Sequence, residues 1–415
     1  MRVCLIRPPS PELLNDRIDP PMGLLYIGTS LEQAGHTVTL LDFAGGQSPD
    51  IPDADVYGLS LFTTAYPEAL VIRDQIRAKS TAPIMVGGPH AEALPRETAR
   101  DFDYVVVGEA EAELPDLIEP IASRRLDKQV IFVKRPENLD ALPINNYDLV
   151  DMTSYSREMG GQRAFSVLSG RGCPYRCVYC YTAALGGKVR FRSVDHLMSE
   201  LDTVDRRYGM DGLRFIDDNF LMSRRFFKSL APVLKEFDKP YRVYCRAADL
   251  TPDRCELLAE SGCRMAASGV ETGSQVMHDR MNTRKNVEQM AEGIRAARDN
   301  GIDVRVGLIV GYPGETWDTV RESVENLKKM DFNSYNLFNF VPLPGTDPYR
   351  NPKKYGIKWL SDDWKNYYVM HGDNEGSYAF EHETLTRRDL RDMREFMIEE
   401  LNKTFLPAQD DLEYK

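Results

Sequence analysis

A chain of 415 residues, 42% hydrophobic and 28% charged, has an ordinary globular composition and room for two or three domains, each with its own core. Its formal net charge of -12 with no long basic tract makes a phosphate backbone a poor partner, so small-molecule or peptide partners fit better than nucleic acid. Nothing approaches the ~18 consecutive apolar residues of a membrane span and the opening MRVCLIRPP is too short for a signal peptide, so we expect no membrane partner and a cytoplasmic protein with its cysteines reduced or metal-bound.

Residues 1–122 alternate apolar strands with amphipathic helices, the pattern of a doubly wound, Rossmann-like α/β sheet. Strands are predicted at Arg2–Ile6, Thr37–Leu41, Val56–Leu61, Ile84–Val86 and Tyr104–Val107, with helices over Gly23–Ala34 and Ala65–Ala78. The strands run into small or polar residues: Pro8-Pro9, Thr63-Thr64, Gly87-Gly88-Pro89-His90 and Gly108-Glu109. In such sheets ligands sit at the carboxyl ends of strands, where glycines let a large ligand approach. Residues 123–160 read as a polar linker with one short strand, Val130–Val133.

A second series occupies 161–349, with strands near Ala164–Leu168, Gly212–Ile216, Arg242–Cys245, Arg264–Ser268, Val304–Val310 and Tyr335–Val341. Six βα units predict an open, partial (β/α)6 TIM barrel with its chemistry in the loops after the strands. Residues 350–415 are aromatic and charged, with an amphipathic helix near Arg387–Leu401; this region is expected to pack over the barrel mouth, its tryptophans and tyrosines serving as packing.

The first barrel strand leads into RGCPYRCVYCY, which sets Cys173, Cys177 and Cys180 in a C-x3-C-x2-C pattern. Three thiolates within eight residues can hold three corners of a cubane iron–sulfur cluster and leave the fourth iron open to react. A structural zinc would need a fourth ligand, for which His196 is the nearest candidate. Behind the cysteines follow RFIDDNF (Asp217, Asp218, Asn219), SGVETGS (Glu271, Ser274), GLIVGYPGET (Gly311, Pro313, Glu315) and VPLPGTDPY (Pro342, Leu343). Each alone could be an ordinary turn. Cys245, Cys255 and Cys263 read as core residues.

In this order, the motifs of residues ~160–350 resemble the core of the radical S-adenosylmethionine (SAM) superfamily. Residues 1–120, with PPMGLLYIGTSLEQAGHTVTLLDF, VGGPHAEALPRE and DYVVVGEAE, resemble the cobalamin-binding domain that precedes that core in one subclass. The resemblance implies that Cys173, Cys177 and Cys180 ligate a 4Fe–4S cluster whose open iron binds SAM. Asp217, Asp218 and Asn219 would lie at the amino-acid end of SAM, with Arg246 pairing its carboxylate. Glu271, beside Ser274, would accept from the ribose, and Tyr179, the turn through Gly311, Pro313 and Glu315, and Pro342-Leu343 would enclose the adenine. It also implies a flavodoxin- or ferredoxin-type electron donor.

For cobalamin, the resemblance points to Pro8, Ser60, Phe62, Thr63, Gly87, Gly88, Gly108 and Glu109. The region after the first strand carries no cobalt-coordinating histidine, and His90 reads as a turn residue, so cobalt would have no protein imidazole. The leading expectation is a cobalamin-dependent methyltransferase acting on an unactivated carbon of a small molecule. The alternative is a non-methylating radical enzyme (dehydration, rearrangement or C–C bond formation) whose first domain no longer binds cobalamin. A lone Cys4 disfavours methylthiolation of transfer RNA, and a non-catalytic carrier would need no SAM pocket.

Overall fold

The computed structural model describes residues 1–10, 13, 15–369 and 379–408; parts of the 350–415 region (370–378 and 409–415) lie outside the described residues. Strands β1 (Arg2–Arg7), β2 (Thr37–Asp42), β3 (Val56–Ser60), β4 (Ile84–Gly87), β5 (Tyr104–Val107) and β6 (Val130–Phe132) form one sheet in the order β2-β1-β3-β4-β5-β6. Every pairing is parallel. The strand read inside the linker therefore completes this sheet. The chain reverses direction across the sheet between β1 and β3, the place where doubly wound sheets take their ligands. Alternate residues feed opposite faces: Val3, Leu5, Val56 and Met85 enter one apolar cluster, and Cys4, Ile6, Tyr57 and Val86 the other.

The second sheet runs β7 (Glu158–Met159), β8 (Gln162–Val167), β11 (Gly212–Phe215), β12 (Tyr241–Cys245), β13 (Cys263–Glu271), β14 (Asp303–Val310), β15 (Ser334–Asn339) and β18 (Leu406–Pro407). Its six central strands are parallel, as expected of a partial barrel. A short antiparallel pair, β9 (Gly170–Arg171) with β10 (Arg190–Phe191), lies beside it. On β14, Val304, Val306, Leu308 and Val310 join the main core, which leaves Arg305, Gly307 and Ile309 on the concave side. The predicted strand Arg264–Ser268 extends to Glu271, because the register shifts between Gly269 and Glu271 and the chain stays paired past the bulge.

The segment between the sheets is stitched to both. Asn146 donates to Thr29 Oγ1 at 2.8 Å and to Glu32 at 2.8 Å. Tyr147 and Asn145 donate to buried Glu200 on the helix Val194–Tyr208, which also pairs with Arg192. One apolar cluster accordingly spans the first sheet, Tyr147, Met152, Tyr155 and the barrel.

The C-terminal region divides in two. Strands β16 (Ile357–Leu360) and β17 (Phe380–His382) pair antiparallel and, with Tyr367, pack on Tyr312, Phe340, Val341 and Met281 beside the cysteine loop. Trp364 sits edge-on to His90 of the first domain at 4.8 Å. The helix Arg387–Asn402 instead lies on the outside of the barrel, with Met393, Met397 and Leu401 in the core and Phe396 against Trp317. Among the described residues, no helix is long and apolar enough to cross a membrane.

Candidate functional site

The cysteine loop leaves β8 and returns as the short helix Tyr181–Leu185. Asp218 holds both ends: it accepts from Gly172 N at 3.1 Å and Thr182 Oγ1 at 2.9 Å. The middle is pinned by Val178 N to Met281 O at 3.1 Å and by Asn282 to Arg176 O at 2.9 Å. Asp217 anchors the approach, accepting from Ser169 and from Gly170 N. Burial pushes its carboxyl up to about 6. Asn219 caps the turn Phe220–Met222 and donates to Asp249 at 3.0 Å. Arg246 stacks on Tyr175, its guanidinium 3.6 Å from the ring centroid, and donates to the carbonyls of Thr283 and Arg284.

All three cysteines are free and partly exposed. Burial pushes their thiols up, while backbone N–H groups of Tyr175 on Cys173, and of Ala183 and Thr182 on Cys180, oppose the shift. Amides aimed at sulfur are among the features that tune a thiolate-held cluster. Among the described residues, no three His, Cys, Asp or Glu side chains converge on one ion position. His196 is engaged elsewhere, with Arg192 at 3.0 Å and Leu142 O at 3.1 Å. With His196 so engaged, the loop offers three thiols and no fourth zinc ligand, which is the donor set of a cubane cluster with one open iron.

Across the mouth, Glu271 ends β13 with φ 67°, a left-handed backbone that is strained for a non-glycine residue. Its carboxylate pairs with Lys285 at 2.7 Å, and Tyr179 also bonds to it. Lys285 further donates to Gly269 O at 2.6 Å. The Gly311 turn is fixed from within by Glu315, which accepts from Gly311 N at 2.5 Å, and from the tail by His382 on Gly311 O at 2.9 Å. Tyr179, Tyr312 and Leu343 share one apolar cluster, and Pro313 and Pro342 are buried. Ser274 turns away, donating to Glu322 at 2.6 Å. The mouth thus gathers Tyr179, Glu271, the Gly311–Glu315 turn and Leu343, whereas Asp217, Asp218, Asn219 and Ser274 bind protein partners.

In the first sheet a cleft, partly open to solvent, lies between the strand ends and the helix Met22–Gln33. Ser60, Gly87, Gly88, Gly108 and Glu109 line it with apolar Leu5, Leu24, Met85 and Val106. Pro8, Phe62 and Thr63 are not among its lining residues, and neither is any histidine. His90 is buried against Tyr66 and Trp364, where burial lowers its pKa to about 4.

The two glycines differ. Gly88 has φ 92° and ψ 179°, and a Cβ there would sit 3.0 Å from the Leu61 backbone, so the chain itself requires it. A Cβ on Gly87 would meet only Val106 O, at 3.5 Å. No protein contact demands glycine there; what it leaves is room in the cleft, as a bulky ligand requires.

The two sites touch. Tyr181 Oη donates to Pro89 O at 2.7 Å, and Arg171, two residues before Cys173, bridges Glu109 and Glu111 at 2.8 Å each. Arg190 bonds to Glu109 as well. Burial would raise the Glu109 carboxyl, but Arg190 and Arg171 outweigh it and hold it below the usual range. Glu111, Arg171 and Lys285 were passed over in the sequence. The two acids alternate in GEAE and the arginine adjoins the cysteine motif, but nothing local marks Lys285.

Residues 167–327 match the Radical SAM superfamily, and residues 18–118 match the B12 binding domain. The chain thus carries a radical SAM domain behind a B12 binding domain. Like others in that superfamily it uses a 4Fe–4S cluster and SAM, and its B12-binding domain adds cobalamin. Among its relatives, an uncharacterized methyltransferase of Pyrococcus horikoshii is 25% identical, covering 83% of this chain and 82% of its own. An anaerobic magnesium-protoporphyrin IX monomethyl ester cyclase of Synechocystis is 26% identical over 86% of this chain and 77% of its own. The fold is similar to that of the radical SAM methyltransferase TsrM from Kitasatospora setae, solved with cobalamin and a [4Fe-4S] cluster (TM-score 0.71, 18% identity, 97% of this chain and 89% of that one).

Proposed function

We propose that this radical SAM enzyme is a cobalamin-dependent methyltransferase acting on an unactivated carbon of a small-molecule substrate. The observation that carries this is the direct contact between the cysteine loop and the cleft, through Tyr181 to Pro89 and Arg171 to Glu109 and Glu111. When bound, the cluster with SAM supplies a 5′-deoxyadenosyl radical, and cobalamin supplies a transferable methyl group. The relative from P. horikoshii is named a methyltransferase and TsrM was solved with cobalamin, which favours methylation over the non-methylating alternative.

The protein's own part is to bind, orient and enclose. Cys173, Cys177 and Cys180 hold the cluster, and Asp218 keeps their loop in place. Glu271, set by Lys285 and Tyr179, faces the ribose, while the Gly311–Glu315 turn and Leu343 close on the adenine. Ser60, Gly87 and Gly88 would cradle the nucleotide tail of cobalamin, and the residues that line the cleft would offer cobalt no imidazole. Electrons come from a flavodoxin- or ferredoxin-type donor in the cytoplasm, where thiols stay reduced. Anaerobically reconstituted protein should hold about four irons, and it should retain cobalt when supplied with cobalamin. A full cluster that cleaves SAM in protein that never retains cobalt would eliminate the methylcobalamin route.

A further inference from the structure

Glu111 lines the cleft and is only 7% exposed. Its Oε1 accepts from Arg171 at 2.8 Å, but its Oε2 is buried with no hydrogen-bond partner among the described residues. Glu109, two residues earlier on the same strand end, is different: Arg190 donates to both of its oxygens and Arg171 to one of them. A buried carboxylate oxygen with no donor is costly. Leu24, Val106, Ala110 and Leu114, which line the same cleft, have no side chain that can donate. Three guanidiniums, Arg171, Arg190 and Arg135, pair with the two carboxylates, so this end of the cleft does not repel a phosphodiester. What the site lacks is one N–H or O–H.

We propose that Glu111 Oε2 accepts a hydrogen bond from a ribose hydroxyl of cobalamin's nucleotide tail, which makes Glu111 a further binding residue of the cleft. The tail carries such donors in its ribose hydroxyls, which cobinamide lacks. The same carboxylate would then touch the ligand with one oxygen and, with the other, the arginine that leads into Cys173. This rests on the cobalamin reading above.

The test is Glu111→Gln, which keeps the shape of the side chain and one acceptor oxygen. Arg171 claims that oxygen, so the amide NH2 is left facing the tail, donor against donor. Cobalamin and cobinamide, which lacks the nucleotide tail, are titrated by visible absorbance into wild-type and variant protein carrying the cluster. Cobalamin should bind the variant about tenfold or more weakly, the loss of one charge-assisted hydrogen bond. Cobinamide affinity should stay within about twofold, because one hydrogen bond fewer is the only change expected and it belongs to the tail. Unchanged cobalamin affinity, or equal weakening of both corrinoids, overturns the proposal. If wild-type protein binds no cobalamin at all, the underlying reading fails instead, and the two failures are told apart by that arm.

Discussion

The barrel mouth and the N-terminal cleft prepare for ligands in opposite ways. At the mouth nearly every polar side chain of the motifs is already bonded to protein: Asp217 and Asp218 to the cysteine loop, Glu271 to Lys285, Glu315 to the Gly311 turn. The cleft is mostly apolar wall and glycine, with one carboxylate oxygen left unmatched. The mouth holds loops stiff so that backbone and sulfur meet the ligand in place. The cleft keeps space open for something large. Function at the mouth is therefore sensitive to losing a bond, and in the cleft to gaining an atom.

That contrast can be broken from either side. The largest effect is expected at the cysteines: Cys177→Ala should lose the cluster's iron and all SAM cleavage, read by iron and sulfide content and by 5′-deoxyadenosine. In the cleft, Gly87→Val adds atoms where only Val106 O lies near, so it should abolish cobalamin retention while the iron content stays at the wild-type level. Retention of cobalt by that variant would show that the cleft is not the tail's site. Asp218→Ala frees Gly172 N and Thr182 Oγ1, hydrogen bonds to a charged group worth about 1.5–3 kcal/mol each. The cluster should then be lost to a chelator faster than in wild type, with cobalamin affinity unaltered.

Smaller effects separate glycine as space from glycine as conformation. Gly88→Ala forces an essentially glycine-only backbone and should lower stability by about 1–3 kcal/mol in chemical denaturation, even with no corrinoid present. At the mouth, burial pushes the Glu315 carboxyl up to about 7, above its unfolded value of about 4.3. Its contribution to stability is present in full below the unfolded value and is lost as pH rises through 7. Between pH 5 and pH 8 the wild-type Tm should fall more than that of Glu315→Gln, and parallel pH profiles would show that the group does not titrate as placed.

Much of this was legible from residue patterns. The strand alternation of both sheets could be read because apolar residues recur with a period of two or run continuously, and turns are marked by Gly and Pro. The cysteine spacing carries its chemistry within eight residues, so no tertiary information was needed. Glu271 stands out in the sequence because its flanking glycines mark a strand end, but its ion-pair partner Lys285 does not, since nothing in the local sequence predicts which loop closes on it. Glu111 was missed for a related reason: an acid in GEAE looks like any surface acid until its burial and its unmatched oxygen are seen. The linker is legible only in part: its strand at Val130–Val133 can be read, but its polar composition gives no sign that the strand joins the first sheet or that Tyr147 anchors the segment to the helix of Glu200.

The central claim is that radical SAM chemistry and methyl transfer from cobalamin meet in one chain. The most direct measurement is anaerobic incubation of the reduced, cobalamin-loaded protein with SAM, with 5′-deoxyadenosine and S-adenosylhomocysteine quantified separately. Both should form, and S-adenosylhomocysteine should require cobalamin and scale with the amount bound, because it records methyl transfer from SAM to cobalt. Formation of 5′-deoxyadenosine alone, with no S-adenosylhomocysteine whether cobalamin is present or absent, would contradict the methyltransferase assignment.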